Sequence, residues 1–448
     1  MWWDRKIQRA FRCRLEQKPG SLGRLLSAIG EAGGLIGEIR TVHMGGSAVD
    51  RDITVYADDL RHLDRLIATV EATEGAQLIE VRDEVLEMHQ GGEIAIRSRY
   101  DISSLSTLRL VYTPGVAEVS LKIRDDPSLA RRYTSIRHLV AIVTDGTAVL
   151  GLGDIGPKAA MPVMEGKASL LETLTGLSGM PILLDTKDPD EIVETVVHIA
   201  PTFAAIQLED ISAPRCFAIE ERIQARLDVP VMHDDQHGTA VVVTATLLNA
   251  AKATGIDLTG SSIGVIGLGA AGFALAKMLM FRFKRPVLGA DIAPEALTRL
   301  KEAGGLPSDL GRIMAGCDVV IATTGVPGLI KKETVRRGQI VLALSNPNPE
   351  IDPEQALAAG AAFAADGRTV NNVLGFPGIF RGAVDADVPR ITREMLMAAA
   401  DAIAAAAPPG EMVPNPLDKA LHKSVARAVA RVALEQGLNR DDLTGYFD

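Results

Sequence analysis

Cysteine is scarce in this 448-residue chain: there are three, Cys13, Cys216 and Cys317, far apart and without CxxC spacing. That excludes a disulfide framework and a thiolate metal site, and it fits a reducing compartment. Aromatic residues make up only 4%, so the core must be built from Ala, Val, Leu and Ile. Positive charge is in deficit, with 47 Lys plus Arg against 57 Asp plus Glu and a net charge of −10. The balance speaks against a nucleic-acid or acidic-membrane surface and still allows a local basic pocket. Long apolar runs are missing too. The longest uncharged stretch, Leu258 to Ala276, is interrupted by five glycines and reads as strand, turn and helix rather than a membrane span. Met1 to Lys6 meets charge at once and has no apolar signal-peptide core, so a cytoplasmic protein is expected.

What is present is ordinary globular composition, 47% apolar and 23% charged, at a length that suits two to four domains. In the first stretch, Phe11, Cys13 and Leu15 alternate with charged residues as in a half-buried strand, and Pro19-Gly20 ends it. Leu22, Leu25, Leu26 and Ile29 follow helical spacing. Strands are expected at 35–43, around Ile53 and Val55, and at 78–85, with a second helix through Leu63, Leu66, Ile67 and Val70. The order β-α-β-β-α-β is ferredoxin-like. With Pro19-Gly20 between first strand and first helix, it resembles the ACT family of small-molecule regulatory domains over residues 8 to 86. A regulatory module that binds a small effector and a purely structural or dimerising one are both open. Met88 to Arg99 reads as a linker, with Gly91-Gly92 as its flexible point. Beyond it, short apolar strands alternate with helical patterns, which predicts α/β architecture with parallel sheets.

Two segments match GxGxxG. Gly267-Leu268-Gly269-Ala270-Ala271-Gly272 follows the strand 263–266 and opens an apolar helix. A second strand, 287–290, ends in Asp291, 24 residues past Gly267, where a carboxylate meets ribose hydroxyls. Gly267, Gly269, Ala270, Ala271, Gly272 and Asp291 are therefore the expected dinucleotide contacts, with the pyrophosphate at the helix N-terminus. Asp291 repels a 2′-phosphate, which favours NAD, with NADP as the alternative. Gly151 to Gly156 also matches, but no acid-ended strand follows on schedule, so it reads as a loop lining a site.

Leu208-Glu209-Asp210 closes the strand 204–208, at the carboxyl end where α/β sheets bind ligands. Neighbouring strand residues face opposite ways, so Glu209 and Asp210 converge only if the chain turns there. Ile211 to Pro214 is the turn candidate. His233-Asp234-Asp235-Gln236-His237-Gly238-Thr239 is a polar loop before the apolar helix 240–250. Carboxylates in this number suit Mg²⁺ or Mn²⁺; zinc on His233 and His237 lacks an HExxH pattern, and plain loop caps are the bland alternative. Lys167 is read at the start of a helix 168–174. A helix N-terminus and a nearby cation disfavour its charged form and make it a candidate base. Tyr112 is either a buried, satisfied tyrosine or a proton donor.

Together the motifs resemble malic enzymes of the smaller bacterial type. The matching segments are Tyr112 to Ala117, Thr144 to Thr147, Gly151 to Pro157, Pro162 to Lys167, Leu208 to Asp210, His233 to Thr239, Ser345-Asn346-Pro347 and Asn371 to Gly378, in family order across residues 99–448. The resemblance implies oxidative decarboxylation of L-malate to pyruvate and CO₂ with a nicotinamide cofactor and Mg²⁺ or Mn²⁺. It implies Glu209, Asp210 and Asp235 as metal ligands, Lys167 as general base oriented by Asp234, and Tyr112 as general acid. Asn346 and Asn372 would contact malate and the nicotinamide end. Larger malic enzymes carry an arginine for a malate carboxylate just before the GLGD segment; here Thr147-Ala148 occupies that region, which leaves Arg381 as the candidate. The expected organisation is an ACT-like domain at 1–90, a malic-enzyme N-terminal catalytic domain at 91–236 and a doubly wound Rossmann-type NAD-binding domain with C-terminal helices at 237–448. A homodimer or higher homo-oligomer is expected. The competing enzyme reading is a metal-independent amino-acid dehydrogenase under an ACT-like regulator; a non-catalytic nucleotide sensor is the third.

Overall fold

The computed structural model describes residues 7–368 and 370–447; the charged start Met1–Lys6 lies outside the described residues. Two compact units emerge, Met1–Ala95 and Ile96–Asp448. The first holds β1 (Ile7–Glu16), α1 (Ser21–Glu31), β2 (Leu35–Gly45), β3 (Ala48–Ala57), α2 (Leu60–Ala72), β4 (Ala76–Arg82) and α3 (Glu84–His89). Its strands pair antiparallel in the order β2-β3-β1-β4, the ferredoxin-like arrangement. Alternation sets its two faces. Phe11, Cys13, Leu15, Ile53 and Val55 pack against Leu25, Ile29, Leu66 and Val70 of the helices. On the opposite face, Arg12 and Arg14 lie directly across from Asp52 and Asp50 and form bidentate pairs with them. The Asp59 side chain caps α2 by accepting from the His62 N–H at 2.7 Å.

The second unit opens with three helices, α4 (Leu105–Val111), α5 (Gly115–Asp125) and α6 (Leu129–Tyr133). A parallel sheet follows, built from β5 (Leu139–Thr144), α7 (Pro157–Thr175), β6 (Ser178–Leu183), α8 (Pro189–Ile199), β7 (Ala205–Leu208), α9 (Arg215–Gln224) and β8 (Val231–His233), in the order β6-β5-β7-β8. The long α10 (Asp234–Thr254) leaves β8 directly. The domain boundary expected between 236 and 237 therefore falls inside a continuous helix.

A second parallel sheet comes from β9 (Ile263–Ile266), α11 (Ala270–Phe283), β10 (Leu288–Ala290), α12 (Pro294–Glu302), β11 (Leu306–Pro307), α13 (Leu310–Gly316), β12 (Val319–Ala322), β13 (Ile340–Ala343), α14 (Pro353–Ala358) and β14 (Phe363–Asp366). Its order, β11-β10-β9-β12-β13-β14, is that of a doubly wound dinucleotide fold, whose ligand crevice opens where the order reverses, between β9 and β12. Helices α15 (Phe376–Asp385), α16 (Arg393–Ala406) and α17 (Lys419–Glu435) close the chain. The central strands β12 and β13 are short, fully buried runs of Val, Ile, Leu and Ala, as parallel strands covered on both faces must be. All three cysteines are buried and unpaired, and burial pushes the Cys13 and Cys216 thiols up to about 12. Among the described residues, no helix is long and apolar enough to cross a membrane.

Candidate active site

The carboxyl ends of β7 and β8 carry the acidic cluster. Glu209 follows β7, and the next residue, Asp210, adopts a left-handed backbone with φ 54°. That conformation reverses the alternation of a strand, so two adjacent carboxylates face one point. Aspartate is among the few non-glycine residues that tolerate it. The expected turn is thus made at Asp210 itself, ahead of Ile211 to Pro214. Asp235 completes the group: one carboxylate oxygen from each of Glu209, Asp210 and Asp235 lies within 4.8 Å of the others. Asp235 Oδ2 also accepts the Asp210 N–H at 2.9 Å.

Asp234 and Asp235 lie in the first turn of α10, where the helix N-terminus favours negative charge. The polar stretch expected as a loop is therefore helix. Asp234 is fully buried, and its Oδ2 stands 2.5 Å from Lys167 Nζ, which is also 3.0 Å from Glu209 Oε1. Asn372 Nδ2 donates to the same Asp234 oxygen at 3.3 Å, and Thr239 Oγ1 donates to Asn372 Oδ1 at 3.1 Å. The Lys167 ammonium also sits 4.6 Å from the ring centroid of the buried Phe376.

The helix bearing Lys167 differs from expectation. α7 begins at Pro157, so Lys167 occupies its middle rather than its N-terminus, and the helix-end argument for a lowered pKa falls. Burial disfavours the ammonium, but Asp234, Glu209 and Asp235 outweigh it and hold the pKa above the ordinary lysine value. Burial raises the Glu209 and Asp234 carboxyls, and it pushes Asp210 up to about 8 with Asp235 adding to the effect. Four carboxylates face one ammonium, and Asp210 Oδ2 is buried without a hydrogen-bond partner. An all-oxygen donor set with excess negative charge fits a hard divalent cation.

His233 is fully buried on β8 with its Nδ1 3.6 Å from Asp235 Oδ2, and His237 Nε2 contacts Glu220 Oε2 at 3.0 Å. The three carboxylates alone form the one metal-suited cluster among the described residues.

The glycine loop follows β9. Gly267 has φ 87°, and Gly272 packs so closely that a Cβ there would lie 1.9 Å from Gly267 O. Gly269 precedes α11 with no side-chain cap, so the first amides, at Ala270 and Ala271, remain open to an anion. Asp291 ends β10 and braces this loop: its Oδ2 accepts the Leu268 N–H at 2.6 Å and its Oδ1 the Ala293 N–H at 2.9 Å. Asn346 lies past the end of β13, and no hydrogen bond links it to the acidic cluster.

Two expected residues stand apart. Tyr112 ends α4 with 65% of its surface exposed and no hydrogen bond to the cluster. Arg381 is committed to Asp385, at 2.7 and 2.8 Å, and to Thr175 O at 3.2 Å, so the carboxylate role considered for it is not supported.

Three contributors escaped the sequence reading. Gln207, fully buried on β7, donates to Glu209 Oε2 at 2.7 Å; a glutamine in an apolar strand was the available signal. Gly238 lies beneath Asp234, and a Cβ there would meet Asp234 Oδ1 at 1.9 Å. Glu220 accepts the His233 N–H at 2.9 Å from within α9.

Comparison with known proteins agrees with this geometry. Residues 98–224 match the malic enzyme N-terminal domain and residues 311–434 the malic enzyme NAD-binding domain. NAD-dependent malic enzyme 1 of Bacillus subtilis is 55% identical over 93% of this chain and 95% of its own length. The NAD-dependent malic enzyme of Geobacillus stearothermophilus is 42% identical over 96% of this chain and 95% of its own. The crystal structure of malic enzyme from Pyrococcus horikoshii superposes with a TM-score of 0.77 at 38% identity, covering 81% of this chain and 92% of that one. At that identity and coverage, with both domain matches in order along the second unit, this chain belongs to the malic enzyme family.

Proposed function

We propose that the protein oxidises and decarboxylates L-malate to pyruvate and CO₂ with NAD as hydride acceptor. The observation that carries this reading is the buried Lys167, 2.5 Å from Asp234 and 3.0 Å from Glu209 at the edge of a three-carboxylate oxygen cluster. Glu209, Asp210 and Asp235 would hold Mg²⁺ or Mn²⁺, which, when bound, polarises the substrate C2 oxygen and offsets the carboxylate charge. Nζ of Lys167 would accept the C2 hydroxyl proton as the hydride leaves C2 for NAD. Asp234 orients the lysine, and Asn372 donates to the same Asp234 oxygen. Gly267 to Gly272 and the α11 N-terminus would seat the cofactor pyrophosphate, with Asp291 toward the ribose and Asn346 toward the nicotinamide end. After CO₂ departs, a second proton carrier, Tyr112, protonates C3, because acid and base are needed at different carbons.

The exposure of Tyr112 supports a homo-oligomer. Leu105, Leu108, Leu110, Val111, Val116 and Leu121 of the same segment are also exposed, an apolar surface fit for a second copy. Tyr112 then serves a site completed across that contact. The first unit is read as an ACT-like regulatory domain, on its strand order alone.

A steady-state assay with L-malate, Mn²⁺ and either NAD or NADP tests the reading. Pyruvate and NADH should appear in equal amounts, faster with NAD, and EDTA should abolish both. Lactate without net NADH would instead assign malolactic conversion. Removing residues 1–90 should change malate saturation; unchanged kinetics and assembly would overturn the regulatory role.

A further inference from the structure

Helix α9 touches each part of the site in turn. At its start, the Arg215 guanidinium pairs with Asp145 and bonds Thr147 Oγ1 at 2.5 Å and Lys187 O at 2.7 Å. The Thr147 and Ala148 N–H groups in turn donate to Asp210 O, at 3.1 and 2.9 Å. Two residues on, the Phe217 ring meets Phe273 of α11 edge-on, with centroids 5.3 Å apart. The Arg299 guanidinium lies 4.5 Å from the Phe217 centroid and 5.1 Å from that of Phe273, and its Nη2 donates to Leu268 O in the glycine loop at 3.2 Å. One turn further, Glu220 accepts the His233 N–H at 2.9 Å and contacts His237 Nε2 at 3.0 Å, gripping α10 on both sides of Asp234 and Asp235. Phe217 and Glu220 are three residues apart and share a helix face.

A buried carboxylate is costly where an apolar side chain would pack as well. Glu220 offsets that cost by satisfying the entry to α10, whose preceding residue, His233, supplies no side-chain cap. The same ten-residue helix grips the glycine loop through Phe217 and Arg299.

We propose that α9 is a brace that sets the separation between the cofactor loop and the carboxylate cluster, with Phe217 and Glu220 as positioning residues for hydride transfer. The inference rests on the reading of those two places as the NAD and metal sites. Reacting atoms must approach to about 3–3.5 Å, and a displacement near 1 Å from a distant change lowers the rate by about 10²-fold. A loosened brace leaves each half-site intact but misaligned.

The test is to measure kcat, NAD affinity by fluorescence, Mn²⁺ affinity by calorimetry, and Tm for the full chain and for Phe217→Ala, Phe217→Tyr, Glu220→Ala and Glu220→Gln. The expected result is kcat down by about 10²-fold in Phe217→Ala and Glu220→Ala, with NAD and Mn²⁺ affinities near those of the parent. Phe217→Tyr should restore turnover, Glu220→Gln should restore part of it, and the double alanine variant should fall little below the worse single one. The proposal is overturned by lowered Tm with unchanged kcat, or by losses confined to NAD or Mn²⁺ affinity. Failure of the parent protein to bind NAD or Mn²⁺ would overturn the reading of the site itself, and is seen before any variant is compared.

Discussion

Lys167 Nζ lies 2.5 Å from Asp234 Oδ2, and the second residue reaches it from the first turn of a different helix. A lysine so placed is oriented but strongly protonated, because Asp234, Glu209 and Asp235 all favour the ammonium. Its proposed work as a base therefore depends on what else neutralises those carboxylates. Lys167→Ala should lower kcat for malate oxidation by about 10²–10⁴-fold while leaving NAD affinity, read by fluorescence, unchanged. Near-normal turnover in that variant would remove Lys167 from the chemistry.

Gly238 offers a sharper probe of the same pair. Alanine in a helix interior ordinarily stabilises by about 0.5–1 kcal/mol relative to glycine. At 238 the added Cβ would lie 1.9 Å from Asp234 Oδ1, so the Asp234 carboxylate that holds Lys167 must shift. Gly238→Ala is expected to lower Tm and to cut kcat/KM for malate by about 10²-fold. A more stable, fully active variant would show that the Lys167–Asp234 contact is dispensable.

The acidic cluster predicts an unusual pH dependence for the metal-free protein. Burial pushes Asp210 up to about 8 and raises Glu209 and Asp234 as well. In the unfolded chain these groups ionise near ordinary carboxylate values, so the folded state holds extra protons above those values, on Asp210 up to about pH 8. Stability without metal must then fall as pH rises through this window. A bound divalent cation favours the ionised forms and removes that loss. Melting curves with Mn²⁺ and with EDTA should diverge increasingly from about pH 6 to about pH 8. A metal-induced Tm shift that is constant or shrinks over that range would contradict the assignment of these carboxylates.

Much of this was legible in the chain, and the failures have physical causes. The glycine motif, the strands around it and Asp291 followed from spacing, because short buried strands and a tight βα turn leave strong local signatures. The helix at Lys167 did not. Pro162 and Gly166 punctuate α7 and make it look as if it starts later. Yet Ala160, Met164, Ala168, Leu171 and Leu174 are all buried on one face, and that packing overrides the local breakers. The convergence of Glu209 and Asp210 hinges on one left-handed residue, a backbone state no spacing rule announces. Gly238 acts through Asp234 a turn away, which no local pattern marks, and Gln207 was marked only as a polar residue in an apolar strand.

Tyr112 separates an intramolecular from a shared site. Its side chain is 65% exposed, whereas Lys167 is largely buried, and the leucines around Tyr112 are exposed with it. If a second copy covers that surface, the tyrosine of one chain works with the lysine of the other. Tyr112→Phe and Lys167→Ala should each abolish activity as pure proteins. Unfolding and refolding them together at equal amounts yields some dimers in which one site carries both defects and the other none. Pairing is random, so half the dimers are mixed and each has one intact site, giving about a quarter of parental activity on the symmetric-dimer geometry. A site built within one chain gives no recovery, because every site then lacks one of the two residues whichever chains pair.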